Sequence, residues 1–347
     1  MPDLLIHIGA HKAGSTAIQN YLVHNREIFA QQGVLIPQTE NDRHEQLRPP
    51  AILESHRLDS NSDPFGDSVL SLQHEIEKGT FKTIILSNEF IYCHDFAYVG
   101  LLISSLKPLF NRIRIILYVR PQHQLLASLY AQECKALRVL PHHTFWSGST
   151  DCFPGGRHVK NGLFFASVLD TYAMHVGLEN VTARLYDRSM FPSSDIILDF
   201  LGLLGIDKPL NSSQSSHIAN ESWGWKAVEL SKYLAHFHAD QLSQDQTFAM
   251  AAKRALTATI LKANRNKMVN WLGNVPNYMN KDEQECIINH HNHDSMALKH
   301  RYLPELSLAA WSKVLPSDTY SLHDIPPDEL SWALSCFSES LKIFLQQ

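Results

Sequence analysis

The residues best suited to chemistry stand near the start of the chain. Ile6-His7-Ile8-Gly9-Ala10-His11-Lys12-Ala13-Gly14-Ser15-Thr16 joins an apolar run to two hydroxyl residues through a loop bounded by glycines. An apolar strand, a glycine-bounded loop and a helix opened by Ser15-Thr16 aim backbone N–H groups and a helix N-terminus at one point. An anion is stabilised there. The common loop for nucleoside triphosphates reads G-x-x-x-x-G-K-[ST]. Here the order is G-x-x-K-x-G-S-T, so the glycine spacing is kept and the cation has moved inside the loop, to Lys12. A lysine in that position can meet the charge that develops on an oxygen of the bound anion, which is electrostatic stabilisation of a leaving group.

Arg120 closes the apolar run Ile113–Val119, and Ser128 follows on the next helix. In open α/β sheets ligands collect beyond the carboxyl ends of strands. An arginine there can grip a phosphate bidentately, and a serine can add a hydrogen bond. The plain alternative is a strand-end arginine paired with a surface acid. Glu89 follows the run Thr83–Ser87 and is the candidate general base. It could instead be a structural carboxylate that holds the loop or pairs with Lys12. His11 is the second choice of base, because it neighbours Lys12 and an ordinary histidine titrates near neutral pH, and His94 is the third.

Several elements must position these groups. Ile18, Tyr21, Leu22, Ile28 and Phe29 keep a helical period that Gly33 is placed to end, and Val34–Ile36 reads as a short strand stopped by Pro37. Residues 38–66 read as irregular, and a helix is expected over Val69–Ile76. Thr83–Ser87 and Ile113–Val119 are β-branched apolar runs of the kind buried in parallel sheets. A helix is expected over Gln122–Leu137, a long loop over 139–162, a helix over Phe164–His175 and a strand over Asn180–Tyr186. Ser193-Ser194-Asp195 can cap a helix running to Leu204, with Gly205 beyond its end. Strands alternating with helices predict a mostly parallel sheet covered on both faces. Beyond residue 210 the strand signals stop, and helices are expected over Trp223–Phe237, Phe248–Lys262 and Pro327–Leu345.

Composition bounds the reading. The 347 residues are 44% apolar and 19% charged, enough to bury a large core, with a net charge of −5 and no global basic field to draw nucleic acid. Five cysteines, Cys93, Cys134, Cys152, Cys286 and Cys336, form no close pair, which points away from a disulfide framework or a zinc site and towards reduced thiols in a cytoplasmic protein. The strand expected from Leu4 leaves no room for a leader, and no run reaches membrane-span length. Paired histidines such as His142-His143 and His290-His291 do not share a helix face, so they are poor metal geometry.

Taken together, these segments resemble the sulfotransferase family, specifically its bacterial and carbohydrate-directed branch. His7 to Gln19 is similar to that family's 5′-phosphosulfate loop, usually written with K-T-G-[ST]-T. Tyr118-Val119-Arg120-Pro121 with Ser128-Leu129-Tyr130 resembles its 3′-phosphate motif, and Leu185-Tyr186-Asp187-Arg188-Ser189-Met190 its strand-end Tyr-[DE] element. The resemblance covers roughly residues 4–205 in order. It departs at Ala13, where the family has threonine, and in lacking a clear C-terminal R-K-G element.

The resemblance implies an α/β, P-loop-like parallel sheet flanked by helices, as a core over 1–210 with a helical extension over 211–347. It implies the donor 3′-phosphoadenosine 5′-phosphosulfate, no metal, and an acceptor hydroxyl or amine on a carbohydrate or small molecule. Lys12 would stabilise the leaving phosphate. His11, Lys12, Ala13, Gly14, Ser15 and Thr16 would hold the 5′-phosphosulfate, and Arg120 and Ser128 the 3′-phosphate. Tyr186 would lie near the adenine, and Glu89 would activate the acceptor. Phe145, Trp146 and Phe153 are candidates to stack on the acceptor. Arg138, His142, His143, Arg157, His158 and Lys160 are candidates to meet an anionic one. A phosphotransferase using a nucleoside triphosphate on the same loop, and a non-catalytic nucleotide-binding scaffold, are the alternatives.

Overall fold

A computed structural model describes residues 1–10, 12–38, 65–89, 91–92, 96–138, 163–206, 223–273 and 276–346. In chain order the first elements are β1 (Asp3–Ile8), α1 (Ser15–His24), α2 (Arg26–Gln31), β2 (Val34–Leu35), α3 (Gly66–Glu77) and β3 (Thr83–Asn88). They are followed by α4 (Phe96–Leu106), β4 (Ile113–Val119), α5 (Gln122–Lys135), α6 (Phe165–Val176), β5 (Val181–Leu185) and α7 (Ile196–Leu203). The rest of the chain carries α8 (Trp225–Phe237), α9 (Ala239–Gln244), α10 (Gln246–Arg265), α11 (Lys281–His290), α12 (Asn292–Arg301), α13 (Leu308–Trp311) and α14 (Pro327–Leu345).

The five strands form one parallel sheet in the order β2-β3-β1-β4-β5. The apolar runs predicted as buried strands are its centre: Leu4, Leu5, Ile6 and Ile8 of β1, Ile84 and Ile85 of β3, and Ile115, Leu117 and Val119 of β4 are fully buried. The chain leaves β1 towards β2 on one side and leaves β4 towards β5 on the other. The connections therefore diverge at the β1/β4 boundary, where open sheets present a crevice.

Local differences from the expected elements have local causes. The single helix expected from Ser15 to Gly33 is two, because Asn25 turns its side-chain amide onto the Tyr21 carbonyl at 2.9 Å and competes with the helical ladder. Gly33 follows the second helix with φ +76°, as a left-handed terminator. Helix α4 has no counterpart in the sequence expectation, although Tyr98, Val99, Leu102, Ile103 and Leu106 bury one helical face. Asp195 caps α7 by accepting the Ile197 N–H at 2.8 Å. Residues 39–64 and 139–162, expected to be irregular, lie outside the described residues.

The chain groups into two compact units, each built from separate stretches of sequence. One comprises Met1–Pro121, Arg157–Ala219 and His290–Ser312, and the other Gln122–Gly156, Asn220–Asn289 and Lys313–Gln347. In the first unit Asp294 accepts the N–H groups of Ala166 and Ser167 at 3.1 and 3.0 Å. It thereby caps α6, which has no side-chain cap of its own. In the second unit α10 packs along α14. There Glu329 receives two hydrogen bonds from Lys226, at 3.0 and 2.8 Å, and one from the Trp271 indole at 2.9 Å. Among the described residues no strand follows β5, and no helix is long and apolar enough to cross a membrane.

Candidate functional site

The loop after β1 is built to close tightly. A Cβ on Gly9 would stand 2.4 Å from Ser15 Oγ and 3.0 Å from Glu89 Cγ. Only the absence of a side chain there lets the loop fold back while Glu89 lies against it. Ala10 and Ala13 are fully buried. The Ala13 N–H reaches the Ala10 carbonyl at 3.4 Å, and Ser15 Oγ donates to the same carbonyl at 3.2 Å. That hydroxyl braces the loop.

Gly14 enters α1 with φ +83° and ψ +5°, and no side chain caps the helix. The N–H groups of Gly14, Ser15 and Thr16 have no hydrogen-bond partner among the described residues. N–H groups at the positive end of a helix are the elementary anion site. Lys12 takes φ +61°, a left-handed conformation that is costly for a residue with a Cβ. The residue is half-buried, and burial lowers its pKa. Glu89 acts in the opposite direction, and the Arg120 guanidinium adds to the lowering.

Glu89, Arg120 and Tyr186 are each the first residue past a strand, β3, β4 and β5 respectively. The segment after Glu89 is held by the Tyr172 hydroxyl of α6, which donates to the Ile91 carbonyl at 2.6 Å. The Tyr186 N–H donates to the Val119 carbonyl at 2.7 Å, so the ends of β4 and β5 are tied directly beside Arg120. The Tyr186 ring edge lies 2.8 Å from where a Gly14 Cβ would stand, and Ile196 Cδ1 lies 2.4 Å from that point. Burial lowers the Arg120 pKa, and Tyr186 pulls it back up.

The first unit thus brings Lys12, Gly14, Thr16, Glu89, Arg120 and Tyr186 to one edge of its sheet. Ser128 is 4% exposed on α5, in the second unit. His11, His94 and the acceptor candidates Phe145, Trp146, Phe153, His142, His143, Arg157, His158 and Lys160 lie outside the described residues. Arg138 is paired with Glu133 at 3.1 Å.

One residue of this region was not singled out from sequence. His7 is fully buried, shares a hydrogen with Ser87 Oγ through Nδ1 at 2.7 Å, and has no partner for Nε2 among the described residues. Burial holds its pKa down to about 4, so the ring is neutral. The available signal was a polar residue at an inward position of an otherwise apolar strand.

Two cations, a carboxylate and helix N–H groups without a partner among the described residues, at a strand-end edge, can bind a multiply charged anion and take a proton beside it. No protein-family model matches the chain, and no curated protein matches it. Among solved structures it matches a sulfotransferase from Alicyclobacillus acidocaldarius with a TM-score of 0.45 and 11% identity, over 90% of this chain and 99% of that one. A likeness this distant assigns nothing to individual residues.

Proposed function

We propose that the chain is a sulfotransferase that moves a sulfuryl group from 3′-phosphoadenosine 5′-phosphosulfate to a hydroxyl or amine of a carbohydrate or small molecule. The observation that carries the reading is the convergence of Lys12, Glu89, Arg120 and Tyr186 beside the uncapped start of α1. The motif order of the sequence supports it. When bound, the donor supplies a sulfur already activated by a phosphate leaving group.

The N–H groups of Gly14, Ser15 and Thr16 hold the 5′-phosphosulfate. Lys12 holds the charge that appears on the phosphate oxygen as its bond to sulfur breaks, and its partial desolvation strengthens that interaction. Glu89 takes the acceptor's proton as the acceptor oxygen or nitrogen bonds to sulfur, so one bond forms as one breaks and the proton ends on the carboxylate. Arg120 grips the 3′-phosphate, and Tyr186 lies beside the nucleotide at the end of β5.

Two measurements test this. Calorimetry should show tighter binding of 3′-phosphoadenosine 5′-phosphate than of ATP with magnesium. Labelled donor should transfer its sulfuryl group to members of an acceptor panel. Tighter binding of ATP with magnesium overturns the reading, and donor binding with no transfer to any acceptor leaves a nucleotide-binding scaffold in its place.

A further inference from the structure

Gly9, Glu89, Arg120 and Tyr186 each stand one step past a strand, and the penultimate residues of those strands are His7, Ser87, Tyr118 and Arg184. Side chains alternate along a strand, so each penultimate residue shares its face with the position two further on. His7 pairs in register with Ser87, and Tyr118 with Arg184.

These residues form a continuous row across four strands. Ser87 Oγ meets His7 Nδ1 at 2.7 Å. The His7 ring meets the Tyr118 ring edge-on, with centroids 5.9 Å apart. The Tyr118 hydroxyl donates to Asp199 Oδ2 of α7 at 2.7 Å. Arg184 Nε donates to that same oxygen at 3.2 Å, and Arg184 Nη2 pairs with Oδ1. His7, Ser87, Tyr118 and Asp199 are all buried.

We propose that this buried row positions the anion site: it fixes the four strand ends relative to one another, so that Lys12's loop, Glu89, Arg120 and Tyr186 meet a ligand already aligned. Apolar side chains of similar volume often supply as much stability as a buried ion pair such as Arg184 with Asp199. Directional hydrogen bonds fix one register and one rotamer, which packing alone does less sharply. The row also lies directly behind the two bonds that tie the strand ends, Gly9 N–H to Asn88 O at 3.2 Å and Tyr186 N–H to Val119 O at 2.7 Å. The inference deepens the donor-site reading above and rests on it for its functional meaning.

The test compares Tyr118→Phe, which removes one buried hydroxyl, with Phe29→Leu, a buried change on α2 away from the strand ends. With global stability matched by added urea, amide hydrogen exchange at Gly9 and Tyr186 should be roughly tenfold faster in Tyr118→Phe, as expected for the loss of one buried hydrogen bond. Affinity for 3′-phosphoadenosine 5′-phosphate should fall by a similar factor in that variant alone. Equal exchange at Gly9 and Tyr186 in the two variants overturns the positioning role. Selective exchange in a protein whose parent does not bind the nucleotide supports the positioning row and removes the donor reading instead.

Discussion

His7 makes the stability of this protein depend on pH in a way that can be isolated. Burial holds the ring's pKa at about 4 against an ordinary value of 6.5, with Glu89 pulling weakly the other way. As pH falls through 6.5 the unfolded chain takes a proton at this residue, while the native chain stays neutral until about pH 4. The unfolded state binds more protons throughout that window, so stability is lost as the pH falls. At about 1.4 kcal/mol per pKa unit, the loss comes to about 3 kcal/mol once pH 4 is reached. The perturbation is His7→Asn, whose side-chain amide can still meet Ser87 near the position of Nδ1 and carries no titrating group. The smaller side chain costs about 2 kcal/mol at neutral pH through the cavity it leaves. Urea unfolding at closely spaced pH values between about 4 and 7.5 reads both effects. The parent should lose its advantage over the variant as pH falls, and the two curves should converge or cross below about pH 5. Curves that stay parallel across the window would refute a neutral, fully desolvated His7.

Other variants probe the site and its frame. Lys12→Ala should lower kcat by about 100-fold to 1,000-fold while the thermal midpoint stays within a few degrees, because the lost contact belongs to the transition state; full activity would remove the role. Glu89→Gln should keep nucleotide binding by calorimetry and lose transfer, and a variant that retains its transfer rate shifts the base elsewhere. Gly14→Ala places a Cβ at φ +83° within 2.8 Å of the Tyr186 ring, so it should cost about 1–3 kcal/mol in urea unfolding and weaken nucleotide binding as well. Asp294→Ala uncaps α6 and should lower stability by about 1–3 kcal/mol with little change in nucleotide affinity.

The sequence by itself determined much of the sheet and which residues stand at its strand ends. β-branched apolar runs with no competing period fixed β3 and β4 nearly to the residue, and the glycine spacing around Lys12 placed a loop between a strand and a helix. Chain connectivity then put Glu89 and Arg120 at strand ends, because a side chain just past a strand lies at a sheet edge whatever the rest of the fold does. Tertiary structure decided what depends on residues far apart in the chain. The strand order, which makes Lys12, Glu89, Arg120 and Tyr186 neighbours, is one such feature. The Ser15 hydroxyl turned onto Ala10 is decided by loop closure, and the cap that Asp294 gives α6 spans 128 residues. The role of His7 is the clearest case. A histidine in an apolar strand signals a buried polar group but not its partners, and only the packing of β1 against Ser87, Tyr118 and α7 removes its water and lowers its pKa.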